Sequence, residues 1–175
     1  MKLLPSDHFD VIESMHNYAG TLSDQGHLDL AEEYYKKCLA VQKDGPFKLV
    51  TMNTLGLTYD RQGKYKECEK LLKDCYEGKR RIFGPDHPST LNTMLNIATN
   101  YDNQNKFVES EKMFKLTLAK MKEVHGIEHM ETLNTMHNLG NLYLKQIRFD
   151  EAEGTSSSSS LLTIITHYHY HPSST

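Results

Sequence analysis

From Met52 to Tyr76 the apolar positions fall into two helical faces. Met52, Leu55, Gly56 and Tyr59 stand at i, i+3, i+4 and i+7, the stripe of a 3.6-residue helix. A polar break, Gln62-Gly63-Lys64, follows. Tyr65, Cys68, Leu72, Cys75 and Tyr76 then draw a second stripe. The pattern predicts a helix A, a tight turn and a helix B. Glycine suits the turn because it tolerates left-handed backbone angles.

The same pattern returns along the chain. Met52, Met94 and Met136 stand 42 residues apart, and Met15 stands 37 before Met52. That register aligns Ala19, Gly56, Ala98 and Gly140 in one column. It places Leu22, Tyr59, Tyr101 and Tyr143 in a second, and Gln25, Gln62, Gln104 and Gln146 in a third. Turns are expected at Gly26, Gly63 and Asn105. The small residue in the first column lets helix B approach closely, so Gly140 is expected at a hairpin contact like Gly56. One hairpin cannot bury its apolar face alone; stacked neighbours can, which makes a solenoid.

Linkers separate the units. In FGPDHPST, Phe83 to Thr90, Gly84 and Pro85 end helix B, and Pro88 opens the next helix A with Ser89 as the expected cap. The matching segment before the fourth unit is HGIEHMET. Units are read at residues 10–46, 47–88 and 89–130, with a partial fourth at 131–153 whose helix B begins at FDEAE. Residues 1–9 read as an incomplete inter-repeat linker. Residues 154–175 form a Ser-rich tail that breaks the register. It is expected to be disordered, or the product of truncation or a faulty gene model.

Of the 175 residues, 25% are charged and 38% hydrophobic, and the formal net charge is −3. That balance gives no general attraction to nucleic acid or to anionic membrane. No secretory leader or membrane span is evident, so a cytoplasmic protein is expected. Cys38, Cys68 and Cys75 are too few and odd in number for a disulfide framework, and they read as small core residues.

A helix A with a small residue and a tyrosine, then Gln-Gly-Lys-Tyr and an aromatic-bearing helix B, resembles the tetratricopeptide repeat (TPR). The 42-residue spacing, with GPDHPSTLNTM and YDRQGKYKECEKL, resembles the kinesin light chain type of that repeat, over about Pro5 to Glu153. The resemblance implies an all-α, right-handed superhelical solenoid of antiparallel helix pairs, with helices A on the concave side. In that family the inner surface holds short cargo peptides through asparagines. The same repeats occur in nucleotide-binding signalling proteins, where they act as sensor or scaffold modules. No heptad run of the kind that grips a motor heavy chain is present, so both settings stay open.

The candidate ligand face is therefore polar. Asn17, Asn53, Asn92, Asn96, Thr99, Asn134, Asn138 and Asn141 are assigned to it, with His16 and His137 in matching positions. Asparagine offers both donors and an acceptor, so it can pair with an extended peptide backbone. Arg61 and Lys145, also in matching positions, are assigned to the same groove and would favour acidic ligand residues. The expected partner is a peptide or protein, within a motor or cargo complex if the kinesin light chain resemblance extends to function. No catalytic residue, cofactor or metal is assigned. HGIEH fits the spacing of a zinc hydrolase motif through His125, Glu128 and His129. Gly126 breaks the helix that motif needs, so this is the lesser reading. His167, His169 and His171 read as incidental to the tail. The lysines and arginines of helix B in the second unit interleave with acids and read as a solvated face.

Overall fold

The computed structural model describes residues 8–152. The readings for residues 1–7, for the Ser-rich tail and for His167, His169 and His171 lie outside the described residues. Seven helices follow in order: α1 (Phe9–Asp24), α2 (Leu28–Val41), α3 (Pro46–Arg61), α4 (Tyr65–Phe83), α5 (Pro88–Asn103), α6 (Phe107–His125) and α7 (Met130–Ala152). No strand occurs among the described residues. The pairs α1/α2, α3/α4 and α5/α6 are hairpins, and each second helix packs on the first helix of the next unit. Successive helices A also touch one another, whereas successive helices B do not pack to a comparable extent. The stack therefore curves with helices A on the inner side.

The turns lie where the register puts them. Gly26 (φ +84°), Gly63 (φ +74°) and Asn105 (φ +58°) all adopt left-handed angles. Asparagine is one of the few side-chain-bearing residues that visits this region routinely. The fourth unit departs from expectation. A new helix was expected at Phe149, yet α7 runs unbroken from Met130 to Ala152. The position equivalent to Gly26, Gly63 and Asn105 is Ile147, and a β-branched residue resists positive φ. With no turn, the helix continues.

That continuation changes the role of Gly140. In the second unit, a Cβ on Gly56 would lie 2.9 Å from Leu72 Cδ2 and 3.0 Å from its Cγ. In the third, the Ala98 carbonyl accepts a bond from Ser110 Oγ at 2.9 Å. Around Gly140 nothing lies within 4 Å of such a Cβ, and the residue is exposed. The expected hairpin contact is absent because, among the described residues, no helix B covers this face. Neighbouring columns agree: Leu91 and Met94 are 0% and 3% exposed, while their equivalents Leu133 and Met136 are 47% and 36% exposed.

Elsewhere the core follows the stripes. Ala19, Leu22, Ala31, Tyr35 and Leu55 form one cluster, with Tyr59 against it. Ala98, Phe114, Leu118, Leu139 and Leu142 form another, with Tyr143 against it. Tyr101 packs on Cys68, Leu72 and Ile97 between them. All three cysteines are free and buried. Cys38 and Cys75, equivalent in register, donate to the carbonyls of Ile12 and Leu49. Burial raises all three thiols, Cys68 to about 12, so they are inert packing groups.

The helix caps correct one reading. The cap of α5 is His87, not Ser89. Its Nδ1 accepts from the Ser89 backbone N–H at 3.1 Å, with Pro88 in the first turn. His8 caps α1 and His129 receives the first turn of α7 in the same way, at 3.3 and 3.2 Å. An imidazole nitrogen here takes the place of the usual hydroxyl or carboxylate oxygen.

Candidate peptide-binding face

Three sets of polar contacts join the units, and they decide which side chains remain for a ligand. The first lies toward the outer side. Glu32 of α2 accepts from Lys36 one turn on and from Lys64 of the next unit, both at 2.6 Å. Glu69 of α4 repeats this with Lys73 at 2.7 Å and Lys106 at 2.9 Å, and Gln104 adds a bond at 3.1 Å. Tyr59 and Tyr101 lie under these lysines at cation–π distances of 5.4 to 5.9 Å. Burial alone would raise both carboxyls. The lysine hydrogen bonds overcome it and hold each down to about 2. Glu111 continues the series with Lys115 and the Tyr143 hydroxyl. Within the basic run of α4, Lys73 and Arg80 pair with the interleaved acids Glu69 and Glu77.

The second set lies on the inner side. Asn53 Oδ1 accepts from Asn96 Nδ2 at 3.1 Å and Thr93 Oγ1 at 3.3 Å. Asp60 accepts from Asn100 at 2.8 Å and Asn103 at 2.6 Å. Asn92 Nδ2 donates to Glu131 at 2.9 Å. The two cations assigned to the groove belong to the same ladder. Arg61 donates to Ser23 Oγ at 2.8 Å, and Lys145 donates to Asp102 Oδ2 at 2.6 Å. Arg61, Asn103 and Lys145 share one column, and each reaches back to the preceding unit. Their first task is joining units. His16 also serves the interior: it bonds Thr51 at 3.1 Å and lies against Tyr35 and Phe47, and burial lowers its pKa.

A deeper seam has its own column. Gln42 donates to Thr51 at 3.0 Å, Lys79 to Thr93 at 2.9 Å, and Thr135 to the Met121 sulfur at 3.0 Å. Lys79 is only 5% exposed and has no carboxylate on it; its ammonium rests on Thr93 and the Ser89 carbonyl, and burial lowers its pKa.

An open part of the inner face lies between α5 and α7. A cavity of about 460 Å³ there is lined by Thr99, Asp102, Asn103, Asn138, Asn141, Leu144 and Lys145, with Phe114 from α6. Thr99, Asn138, Asn141 and Lys145 are four of the sequence-assigned residues. Asn141 bonds His137 along its own helix at 3.0 Å, leaving the rest of its amide to the cavity. Asp102 was not among the assigned residues. Its Oδ2 holds Lys145, and its buried Oδ1 has no hydrogen-bond partner among the described residues. Asn17 and Asn134 are exposed on α1 and α7, away from this cavity. The ladder and the cavity are both written at a spacing of about one repeat, and the sequence register alone does not separate them.

HGIEH does not build the zinc hydrolase arrangement. Gly126 ends α6 with φ +86°, so His125 and His129 flank a turn, with Glu128 in that turn. A helical motif with both imidazoles on one face is not formed.

Stacked helical hairpins with a polar inner wall define a helical-repeat module for protein interaction. Family models of the tetratricopeptide repeat match residues 11–44, 47–123 and 103–155, and the chain belongs to that family. Its fold is that of solved kinesin light chain repeats. A putative kinesin light chain with nearly identical TPR-like repeats from Podospora anserina superposes with a TM-score of 0.72 at 21% identity, over 96% of this chain and 81% of that one. BtubC (BKLC) from P. vanneervenii gives 0.73 at 18% identity, over 100% and 70%. The TPR2AB domain of yeast Sti1, solved in complex with pHSP90, gives 0.64 at 16% identity, over 84% and 51%. No curated protein matches the chain in sequence. Folds of this family are typically non-catalytic scaffolds, and no helix among the described residues is long and apolar enough to cross a membrane.

Proposed function

We propose that the chain is a non-catalytic adaptor that holds an extended peptide segment of a partner protein along its inner face, centred on the cavity between α5 and α7. The observation that carries this reading is the cavity's chemistry. It is open, lined by amide side chains and by Phe114, and beside it lies one buried acceptor, Asp102 Oδ1, that no group among the described residues satisfies. Each backbone bond to such a wall nets about 1 kcal/mol, so several together are needed for an affinity on the order of micromolar. Lys145 is neutralised by Asp102, which removes the main reason to expect an acidic ligand at this point. The peptide instead supplies a donor to Asp102. The likeness to kinesin light chain repeats favours a cargo-adaptor setting, with a motor or cargo complex as the partner; the setting of a signalling scaffold uses the same face.

The test is a fluorescence-anisotropy screen of labelled peptide arrays, followed by Asn138→Ala combined with Asn141→Ala. Peptides that bind the native chain should bind the double variant about tenfold more weakly or worse, with helicity unchanged by circular dichroism. Equal affinity in the variant would remove the ligand from this cavity.

A further inference from the structure

We propose that His125, His129 and Glu131 form a binding site for a transition-metal dication of the zinc type, clamping the end of α6 to the start of α7. Each of the three offers a ligand atom, and these atoms all lie within 4.8 Å of one another. Two imidazoles with one carboxylate are a donor set that zinc accepts, with the fourth position left to water. His125 Nε2 is buried without a hydrogen-bond partner among the described residues and lies 3.3 Å from Glu131 Oε2. The second carboxylate oxygen, Oε1, is already held by Asn92 at 2.9 Å. That is the outer support a metal-ligating carboxylate needs.

The preceding linker shows that the cluster is particular to this point of the array. There the equivalent residues are Phe83, His87 and Ser89. Phe83 and His87 stack with centroids 4.8 Å apart. His125 and His129 keep that stack at 4.4 Å, so the architecture does not require the second imidazole. A histidine in place of Phe83 and a glutamate in place of Ser89 supply two ligands where the previous linker has none. Lone pairs lie in the ring planes, so two stacked imidazoles run them side by side. Binding therefore draws one ring out of the stack. His129 is the exposed one, and its present bond from the Glu131 N–H is a long 3.2 Å. Glu128, the acid of the hydrolase spacing, has no part in this site.

The experiment is calorimetric titration of the dialysed full chain with zinc chloride, beside His125→Phe combined with Glu131→Ser. That variant rewrites the third linker as the second. It keeps the stack and the cap, so helicity should match the native chain. The tail histidines are present in both proteins and cancel. One zinc equivalent should bind the native chain and be missing from the variant, and imidazole proton signals of His125 and His129 should shift with zinc. His129→Asn, which retains a capping side chain, should lose the same equivalent if the first variant folds poorly. Asn92→Ala should weaken binding about tenfold. Native and variant chains with equal zinc stoichiometry and affinity would overturn the proposal.

Discussion

Gly56 and Gly140 occupy one column of the repeat, and the same substitution should move stability in opposite directions at the two sites. At Gly56, alanine gains about 1 kcal/mol of helix propensity over glycine. Against this, its Cβ would sit 2.9 and 3.0 Å from two carbons of Leu72, which is fully buried and cannot swing away freely. Overpacking of that kind costs about 1–3 kcal/mol, so the net loss reaches about 2 kcal/mol. At Gly140 the Cβ meets nothing within 4 Å, and only the propensity gain of up to about 1 kcal/mol remains. Urea denaturation followed at 222 nm should place the Gly56→Ala midpoint below the native one and the Gly140→Ala midpoint at or above it. A Gly140→Ala chain destabilised as strongly as Gly56→Ala would refute the reasoning. It would mean that a second helix covers α7.

Two further outcomes follow from the charged groups. Glu32 and Glu69 have folded pKa values depressed from 4.5 to about 2, so their stabilisation is complete above 4.5 and is lost as pH falls through about 2. Their lysine partners are about half exposed, which limits each cluster to on the order of 1 kcal/mol. Glu69→Gln should therefore lower the urea midpoint at pH 7 and converge on the native value near pH 2; a constant difference at both pH values would contradict the ion-pair origin. Lys79 is shifted the other way: its folded pKa is lowered by burial, so the unfolded chain binds more protons and native stability rises with pH between the lowered value and 10.5. Lys79→Met, which installs the residue found at Met121, should stabilise the chain by about 1 kcal/mol at pH 7 and abolish that alkaline rise, read from urea midpoints at pH 7 and 10.

The repeat was legible because its determinants are local. Glycine or asparagine at the turns, an apolar stripe and a small contact residue each act within one hairpin, so their spacing states the fold. Ile147 was equally local: read against Gly26, Gly63 and Asn105, it marks the turn that does not form. The inner face was harder. Asn96 and Asn138 occupy the same column, yet Asn96 bonds the preceding unit while Asn138 lines the cavity. The difference is made by the acceptor one unit back. Asn53 offers an amide oxygen to Asn96, whereas the same column one unit on holds Leu95, whose side chain has no acceptor to offer. Arg61 and Lys145 were assigned to ligand for the same reason: their partners Ser23 and Asp102 lie 38 and 43 residues away. The His125 cluster needed Glu131, which only the turn at Gly126 brings near.

The glutamate clusters give the array a direction. Glu32 is grasped by Lys64 and Glu69 by Lys106, in each case by the unit that comes later in the chain. Each of these glutamates is held once from within its own helix, by Lys36 or Lys73, and once by the unit that follows. Losing the later unit removes one of the two lysines on the glutamate before it, while losing the earlier unit leaves Lys64 or Lys106 without its carboxylate. Every such junction therefore has the same polarity, with the acid on the earlier unit and the lysine on the later one.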